Sequence, residues 1–231
     1  MRSQNEPAGV LFDVDGTLVD TTYLHTVIWW ETLRQFDHDI PMARIHRSIG
    51  IGADKIIEHL LGDERDRSND DKITEARGVL SARYWDRLRP LPGAVSLLRA
   101  CAERGLRVVL ATSASPSELA ALRAALGADD LITAATCAAD VSGADVSGTG
   151  PAPDVLPAAL RLSGLDASRT VFVGDSVWDV VAAGRHHIPC IGLTCGGTGK
   201  SELAGAGAVA IYADPGALVT VLDESPVGAL A

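Results

Sequence analysis

Short apolar runs alternate with longer amphipathic segments from residue 9 onward. This pattern is typical of parallel strands joined by crossover helices. The predicted strands are residues 10–12, 107–111, 170–173, 190–193 and 208–212. The predicted helices cover about residues 93–104, 116–126, 154–162 and 177–186, and a short helix ends the chain. The pattern therefore predicts an α/β fold built on a doubly wound parallel sheet.

Residues 21–89 interrupt the alternation and are helix-like throughout. Apolar residues at Ile56, Ile57, Leu60 and Leu61 have helical spacing, and no β-branched run bounded by turns occurs there. The segment Pro-Leu-Pro-Gly at 90–93 ends this block. A domain of roughly 150 residues with one insertion suits a chain of 231 residues. We therefore predict a core of residues 1–20 and 90–231 and an inserted all-helical domain of residues 21–89.

The amino-acid composition indicates which classes of molecule the protein can bind. Lys and Arg number 20 against 30 Asp and Glu, which gives a net charge of −10, and 47% of the residues are hydrophobic. This balance predicts a globular protein with a real core and argues against nucleic acid and anionic membranes as partners. No apolar run approaches the roughly 20 residues of a membrane span, and the first eight residues lack the apolar stretch of a signal peptide. We therefore expect a cytoplasmic protein, whose oligomeric state the sequence leaves open.

Acidic and hydroxyl side chains directly follow three of the predicted strands. In an open parallel sheet, ligands bind beyond the carboxyl ends of the strands. The residues at these positions are Asp13 and Asp15, Thr112 and Ser113, and Asp175 with Asp179 four residues further on. We expect the four carboxylates and a hydroxyl to converge at one edge of the sheet. For Asp15 or Asp175 alone, a helix N-cap explains the acid equally well.

Converging carboxylates need a cation between them, because like charges a few ångströms apart disfavour one another's ionisation. A ligand set made of oxygen atoms alone, without His or Cys, indicates Mg²⁺ rather than zinc. A carboxylate beside such an ion is a competent nucleophile for phosphoryl transfer through an aspartyl-phosphate. The sequence thus predicts magnesium-dependent phosphate chemistry.

Two motifs resemble those of one enzyme family. The segment FDVDGTLVD at 12–20 is similar to the first motif of the haloacid dehalogenase-like hydrolases, and VGDSVWD at 173–179 is similar to their fourth. The family places a helical cap directly after the first motif, where residues 21–89 lie. The resemblance implies a Rossmann-like core, a cap domain and, since Asp15 is acidic, phosphatase rather than dehalogenase activity.

The resemblance also implies a role for each matching residue. Asp13 corresponds to the nucleophile, and Asp15 to the general acid and base. Thr112 corresponds to a hydroxyl that binds the transferring phosphoryl group. The implied Mg²⁺ ligands are Asp13, the carbonyl of Asp15, Asp175 and Asp179. Gly16, Thr17 and Ser113 border these positions and are candidate substrate contacts, together with Arg47 of the insertion.

One position departs from the family pattern. The family carries a lysine before a Pro-x-Pro-like segment, and Gly150 stands there, before Pro151-Ala152-Pro153. Loss of a preorganised positive charge commonly reduces the rate by on the order of 10²–10³. Lys200, in the loop after the strand 190–193, or Arg47 from the cap are candidate replacements. Alternatively, the chain is an impaired descendant that still binds phosphate, or the glycine is an engineered replacement of lysine.

The insertion brings positive charge to an acidic chain. Arg44, His46, Arg47 and Lys55 surround the turn at 47–52, where capped relatives place a substrate-specificity loop, and a solvated helix face is an equally good interpretation. A closed cap favours a small phosphorylated metabolite, such as a sugar phosphate, phosphoglycolate or a phosphonate. The phosphonate is less favoured, because no lysine of the cap is clearly placed to form the required Schiff base and Lys55 is the only nearby candidate. We therefore predict a Mg²⁺-dependent phosphomonoester hydrolase, with a sugar-phosphate mutase or an impaired phosphate-binding protein as alternatives.

Overall fold

A computed structural model of the chain describes residues 7–141 and 155–230. Six strands form one parallel sheet in the order β3-β2-β1-β4-β5-β6. The strands are β1 (Gly9–Phe12), β2 (Arg107–Leu110), β3 (Ala134–Ala135), β4 (Thr170–Gly174), β5 (Cys190–Leu193) and β6 (Ala210–Tyr212). The predicted doubly wound α/β fold is confirmed.

The helices lie in the insertion and on both faces of the sheet. Those between β1 and β2 are α1 (Thr22–Gln35), α2 (Met42–His46), α3 (Ala53–Leu61), α4 (Asp70–Ala82) and α5 (Ala94–Glu103). Those after β2 are α6 (Pro116–Leu126), α7 (Ala138–Val141), α8 (Val155–Ser163), α9 (Val177–Arg185), α10 (Lys200–Ala206) and α11 (Pro215–Thr220). Local sequence sets the ends of α6, where Ser115 is the N-cap, Pro116 the first residue and Gly127 the left-handed C-cap.

The sheet is buried on both faces, as alternation along β1 shows. Val10 and Phe12 belong to one hydrophobic cluster, with residues of α5, α6 and α11, whereas Leu11 belongs to a second, with residues of α8, α9 and α10. Successive side chains of a strand point to opposite faces, so apolar residues are needed at every position. This is why the predicted strands are continuous apolar runs.

The strand order reverses between β1 and β4. The chain passes from β1 to β2 and β3 on one side, and then returns to β4 on the other side of β1. Phe12 pairs with Leu110 of β2 and with Val173 of β4, so the three strands end at the same level. Ligands of open α/β sheets bind in the crevice at such a switch point. Asp13 and Asp175 therefore begin their loops at its two sides.

The insertion has a hydrophobic cluster of its own. Its buried members are Trp29, Leu33, Ile45, Ile51, Ile56, Ile57, Leu60 and Ile73. The two linkers that join it to the sheet meet, since Val19 bridges Pro90, the amide of Asp20 donates to Arg89 O at 3.0 Å and that of Leu91 to Leu18 O at 2.9 Å. These features support the proposed division at residues 20 and 89.

Three details of the secondary structure differ from the predictions. Strand β3 has two residues and no β-branched side chain, and so the hydropathy pattern missed it. The last strand begins at Ala210, two residues later than predicted. In the predicted loop at 140–153, residues 140 and 141 end α7, and residues 142–153 lie outside the described part of the chain. Within the described residues, no helix is long and apolar enough to cross a membrane.

Candidate active site

Three carboxylates meet at the switch point of the sheet. Asp13 follows β1 and Asp175 follows β4, and the amide of Asp13 donates to Val173 O at 2.9 Å. Asp179 lies in the first turn of α9. One carboxylate oxygen from each of the three residues lies within 4.8 Å of the others. We call Asp13, Asp175 and Asp179 the carboxylate cluster; it brings together three of the four predicted acids.

The start of α9 holds Asp179 in place. Ser176 is the N-cap of this helix, and its amide and hydroxyl donate to Asp179 Oδ2 at 2.9 and 2.6 Å. Ser176 Oγ in turn accepts from the amide of Asp179 at 3.2 Å, which completes a capping box. The local sequence Asp-Ser-x-x-Asp therefore fixes the second carboxylate of this motif next to the first.

Thr17 and two glycines close the loops around Asp175. Thr17 is fully buried, and its Oγ1 lies 3.1 Å from Asp13 Oδ2 and 2.8 Å from Asp175 Oδ1. Gly16 has a φ of +84°, and a Cβ atom there would lie 2.8 Å from Asp175 Oδ2. A Cβ atom on Gly196 would lie 1.6 Å from the same oxygen. Side chains at these glycines would displace Asp175, so both positions need glycine.

The carboxylate cluster is electrostatically unfavourable by itself. Burial raises the pKa of Asp13 well above its usual value, and Asp179, Asp175 and Asp15 raise it further. Burial and then Asp179 do the same for the pKa of Asp175. Burial also raises the pKa of Asp179, although the hydrogen bonds from Ser176 oppose it. A cation placed among the three oxygens would relieve these interactions.

Asp15 has a different environment, although it is two residues from Asp13. Its Oδ1 accepts from Thr21 Oγ1 at 2.8 Å and lies 2.9 Å from His25 Nε2. Burial raises the pKa of Asp15, but His25, Thr21 and Arg77 together outweigh it and the net pKa is lowered. Among the residues that the structure describes, Oδ2 of Asp15 has no hydrogen-bond partner. Asp15 is thus held by one oxygen, apart from the carboxylate cluster.

Behind His25 lies a chain of buried polar side chains that joins the insertion to the core. Arg77 of α4 places Nη2 3.2 Å from His25 Nδ1, and the same guanidinium donates to both carboxylate oxygens of Glu118 in α6, at 2.9 and 3.0 Å. Ser81 Oγ donates to Glu118 Oε1 at 2.9 Å. We call Asp15, His25, Arg77, Ser81 and Glu118 the Glu118 network.

The sequence interpretation missed every member of the Glu118 network except Asp15. One local pattern points toward it, because Thr21 and His25 are four residues apart at the start of α1 and so share a helix face. The contact between Arg77 and Glu118 has no such pattern, since 41 residues separate them.

The hydroxyls after β2 lie at the same edge of the sheet. Thr112 is buried, and its Oγ1 accepts from the amide of Ala114 at 3.1 Å. Its own amide donates to Thr136 Oγ1 at 2.9 Å, which ties the end of β2 to the residue after β3. Ser113 is partly exposed. The contacts of Thr112 shape the loop, and its predicted role toward phosphate stays a prediction, as does that of Ser113.

The predicted cations lie at the surface. Arg47 Nη1 is 2.6 Å from Glu202 Oε1, and the two side chains are 72% and 43% exposed. Lys200 is the exposed first residue of α10, and no bond from it to a carboxylate is found within the described parts of the chain. Gly150, where the family has its lysine, lies outside the described residues. The replacement of that lysine therefore stays a prediction.

Further contacts attach the insertion to the core loops. His46 Nε2 lies 3.2 Å from Gly196 O, and Trp178 Nε1 donates to Arg47 O at 3.0 Å. The ring of Tyr23 stacks on His46 with 5.0 Å between centroids. A cavity of about 10 Å³, lined by residues that include Asp15, His25 and Glu118, has room for no more than a water molecule. Arg47 and its neighbours therefore cover the side of the site formed by the loop at 194–199.

Comparison with known proteins gives a consistent family. Residues 7–187 match the family model described as haloacid dehalogenase-like hydrolase. A phosphoglycolate phosphatase of Rhodospirillum rubrum is 32% identical over 221 residues, which cover 90% of this chain and 88% of the relative. A phosphoglycolate phosphatase of Yersinia pestis is 32% identical over 193 residues, 81% of each chain.

Solved structures with a similar fold agree with this family. A hydrolase from Pseudomonas syringae superposes with a TM-score of 0.85 at 31% identity, covering 94% of this chain and 98% of that one. A β-phosphoglucomutase from Clostridium difficile superposes with a TM-score of 0.75 at 17% identity, covering 91% and 92%. At that identity, the second likeness shows the fold alone.

Proposed function

The chain belongs to the haloacid dehalogenase-like hydrolases and is a phosphatase enzyme; from this premise, we propose that it hydrolyses a small phosphomonoester with the help of Mg²⁺ and through an aspartyl-phosphate on Asp13. One observation carries the proposal. Three carboxylates converge within 4.8 Å at the switch point of the sheet, while a fourth, Asp15, is held apart by Thr21 and His25.

The donor set fits a magnesium ion. The carboxylate cluster offers oxygen atoms alone, which suits a hard cation, and its members have raised pKa values that a positive charge would lower. Asp13, Asp175 and Asp179 would hold the ion, with the carbonyl of Asp15 as a fourth protein ligand. When bound, the ion supplies positive charge that neutralises the phosphoryl oxygens.

The chain's own residues would carry out two steps. A carboxylate oxygen of Asp13 attacks phosphorus, and the bond from phosphorus to the leaving oxygen breaks, while Asp15, which must enter this step protonated, gives that oxygen its proton. Asp15 then takes a proton from water as the water oxygen attacks phosphorus and the bond to Asp13 breaks. Phosphate leaves and Asp13 is restored. Because Thr21 and His25 bind only Oδ1 of Asp15, Oδ2 is left to exchange the proton.

We propose phosphoglycolate as the first substrate to test. The named relatives that cover most of this chain at 32% identity are phosphoglycolate phosphatases. This substrate carries a carboxylate as well as a phosphate, so it needs a second positive group. Arg47 is our candidate in the insertion; binding would require it to exchange Glu202 for the substrate.

A second candidate, an impaired enzyme that still binds phosphate, is favoured by one observation, the glycine at position 150. If Lys200 supplies the missing charge, the chain is active as it stands. If nothing replaces it, the site binds phosphate and Mg²⁺ but turns over slowly.

Phosphate release from a panel of phosphomonoesters, with and without Mg²⁺, tests these proposals. We expect magnesium-dependent release that Asp13→Asn abolishes. Loss of activity in Lys200→Ala would support a relocated lysine, whereas activity that is found only after Gly150→Lys would support the impaired enzyme. Binding of phosphate without turnover in both the native chain and Gly150→Lys would contradict the hydrolase proposal.

A further inference from the structure

The guanidinium of Arg77 contacts both the Glu118 carboxylate of the core and the His25 ring of the insertion. It donates to both oxygens of the Glu118 carboxylate, and its Nη2 also lies 3.2 Å from Nδ1 of His25. The Arg77 side chain is 13% exposed and that of Glu118 is 6% exposed. Water therefore competes little for these contacts. Because one rigid guanidinium makes both of them, a change in its contact with Glu118 also moves its contact with His25.

This contact decides which nitrogen of His25 carries its hydrogen. A guanidinium has only donors, so Arg77 must donate to a lone pair on Nδ1. A neutral imidazole that accepts at Nδ1 has its hydrogen on Nε2. That nitrogen lies 2.9 Å from Asp15 Oδ1, so His25 donates to the carboxylate. With Nδ1–H instead, His25 would present a lone pair to Asp15, and the two would repel.

Glu118 uses its carboxylate in a way that its local sequence does not predict. It stands at the third position of α6, three residues after the N-cap Ser115, as in a capping box. Its amide does donate to Ser115 Oγ at 3.2 Å, but its carboxylate accepts from Arg77 and Ser81 of α4 instead of from the N-cap. The carboxylate thus anchors a helix of the insertion to a helix of the core.

We propose that Glu118 is a positioning residue: through Arg77 it holds His25 in the Nε2–H form and so fixes Oδ1 of Asp15, leaving Oδ2 to serve the leaving oxygen. This inference rests on the proposed function. It makes the acid and base step depend on α4 being docked on α6, because Arg77 reaches His25 and Glu118 only in that arrangement.

Glu118→Gln tests the proposal, because it removes the charge and keeps the shape. The matched control is Asp70→Asn, which neutralises the partner of Arg65 in another bidentate pair of the insertion, at 2.6 and 3.3 Å, with side chains 8% (Arg65) and 25% (Asp70) exposed. Arg65 has no contact with His25 among the described residues. The control therefore measures the general effect of losing such a pair.

The readout is kcat/KM for two substrates that differ in their need for an acid. Phosphoglycolate has an alkoxide leaving group that must be protonated, whereas 4-nitrophenyl phosphate releases a stable anion. We expect Glu118→Gln to lower kcat/KM for phosphoglycolate on the order of tenfold or more, and for 4-nitrophenyl phosphate less than about threefold. Asp70→Asn should change both equally. Equal losses on both substrates in Glu118→Gln would overturn the proposal.

A second readout does not depend on activity. Nitrogen-15 NMR of the histidine rings, with His25 assigned from a His25→Gln variant, distinguishes the two neutral forms. We expect Nε2–H in the wild type and a growing share of Nδ1–H in Glu118→Gln; Nδ1–H in the wild type would contradict the proposal. If Glu118→Gln does not fold, Arg77→Lys takes its place. It keeps the positive charge but loses the planar guanidinium that joins Glu118 to His25, and the same two readouts apply. Absence of phosphate release by both the wild type and Gly150→Lys would contradict the proposed function, and the spectra would still decide whether Arg77 sets the form of His25.

Discussion

The carboxylate cluster and the Glu118 network each take one aspartate from the first motif, Asp13 and Asp15 respectively, and they differ in which charges face one another. The cluster brings three carboxylates together, and burial with mutual repulsion raises the pKa values of Asp13 and Asp175. In the network, a guanidinium faces the carboxylate of Glu118, and the net pKa of Asp15 is lowered. Asp13 and Asp15 are two residues apart, yet the pKa of Asp13 is raised and that of Asp15 is lowered.

This difference separates a ligand site from a positioning device. A group of like charges is complete only when a cation joins it, so its strain is a sign of binding. A matched pair such as Arg77 and Glu118 needs no further ion, and a buried ion pair of this kind specifies an arrangement rather than adding much stability. Charge balance, more than burial, therefore distinguishes the side chains that would hold a cation from those that hold a neighbouring side chain in place.

The strongest test removes the nucleophile. Asp13→Asn should lower kcat/KM for phosphate release on the order of 10⁴-fold or more, because in the proposed mechanism Asp13 forms the covalent intermediate. The smaller loss expected for Glu118→Gln is the internal reference. If the two variants lost similar activity, the distinction between ligand site and positioning device would be wrong.

Breaking the network should have the largest effect on stability. Arg77→Met leaves Glu118 buried without its partner, and we expect the free energy of unfolding to fall by about 3–5 kcal/mol in urea titrations. Adding Glu118→Gln to this variant removes the orphaned charge. The double variant should therefore recover part of the loss, and a double variant less stable than Arg77→Met would contradict the account.

Removing a charge from the cluster should have the opposite sign. Asp175→Asn relieves repulsion, so we expect the free energy of unfolding of the metal-free protein to rise on the order of 1 kcal/mol. We also expect Mg²⁺ to raise the Tm of the wild type and to leave the Tm of the variant unchanged. Thermal unfolding with and without Mg²⁺ measures both. A lower Tm of the metal-free variant would show that the cluster is not strained.

The same strain predicts a pH dependence. The cluster aspartates have raised pKa values in the folded state, so above their usual pKa of 3.8 the folded protein binds more protons than the unfolded chain. Their contribution therefore stabilises the metal-free protein as the pH falls toward 3.8. Subtracting the pH profile of Asp175→Asn from that of the wild type isolates this contribution, and a difference of the opposite slope would refute it.

The exposed pair between the insertion and the core should give the smallest effect. Arg47 and Glu202 are largely solvated, so Arg47→Ala should change the free energy of unfolding by less than about 1 kcal/mol. If Arg47 binds the distal carboxylate of phosphoglycolate, the variant should raise KM for that substrate while kcat stays close to the wild-type value. An unchanged KM would remove Arg47 from the substrate site.

The positions of the strand-end acids could be predicted because the hydropathy pattern shows where each buried strand ends. A strand buried on both faces is a continuous apolar run, and the first polar residues after Phe12 and Gly174 must lie at the edge of the sheet. Strand β3 escaped prediction because two alanines carry no β-strand pattern. The fold and the carboxylate cluster were thus predictable from short segments.

The Glu118 network could not be predicted, because its members meet only when the insertion docks on the core. Glu118 satisfies a capping-box pattern within its own helix, and this local pattern conceals its contact with Arg77. The positions of the Arg47 and Lys200 side chains likewise depend on the conformations of the loops next to them, which the hydropathy pattern does not determine.

The paired linkers have a consequence for how the chain folds. Because Val19 bridges Pro90, the core experiences the intervening 70 residues as a loop whose ends are already joined. The entropy of closing a loop grows only slowly with its length, so the size of the insertion hardly affects the stability of the sheet beneath it. Exchange of this segment for another of different length or shape would leave the strand before Asp13 undisturbed, provided that the new segment still supplied the groups by which Thr21, His25 and Arg77 hold Asp15.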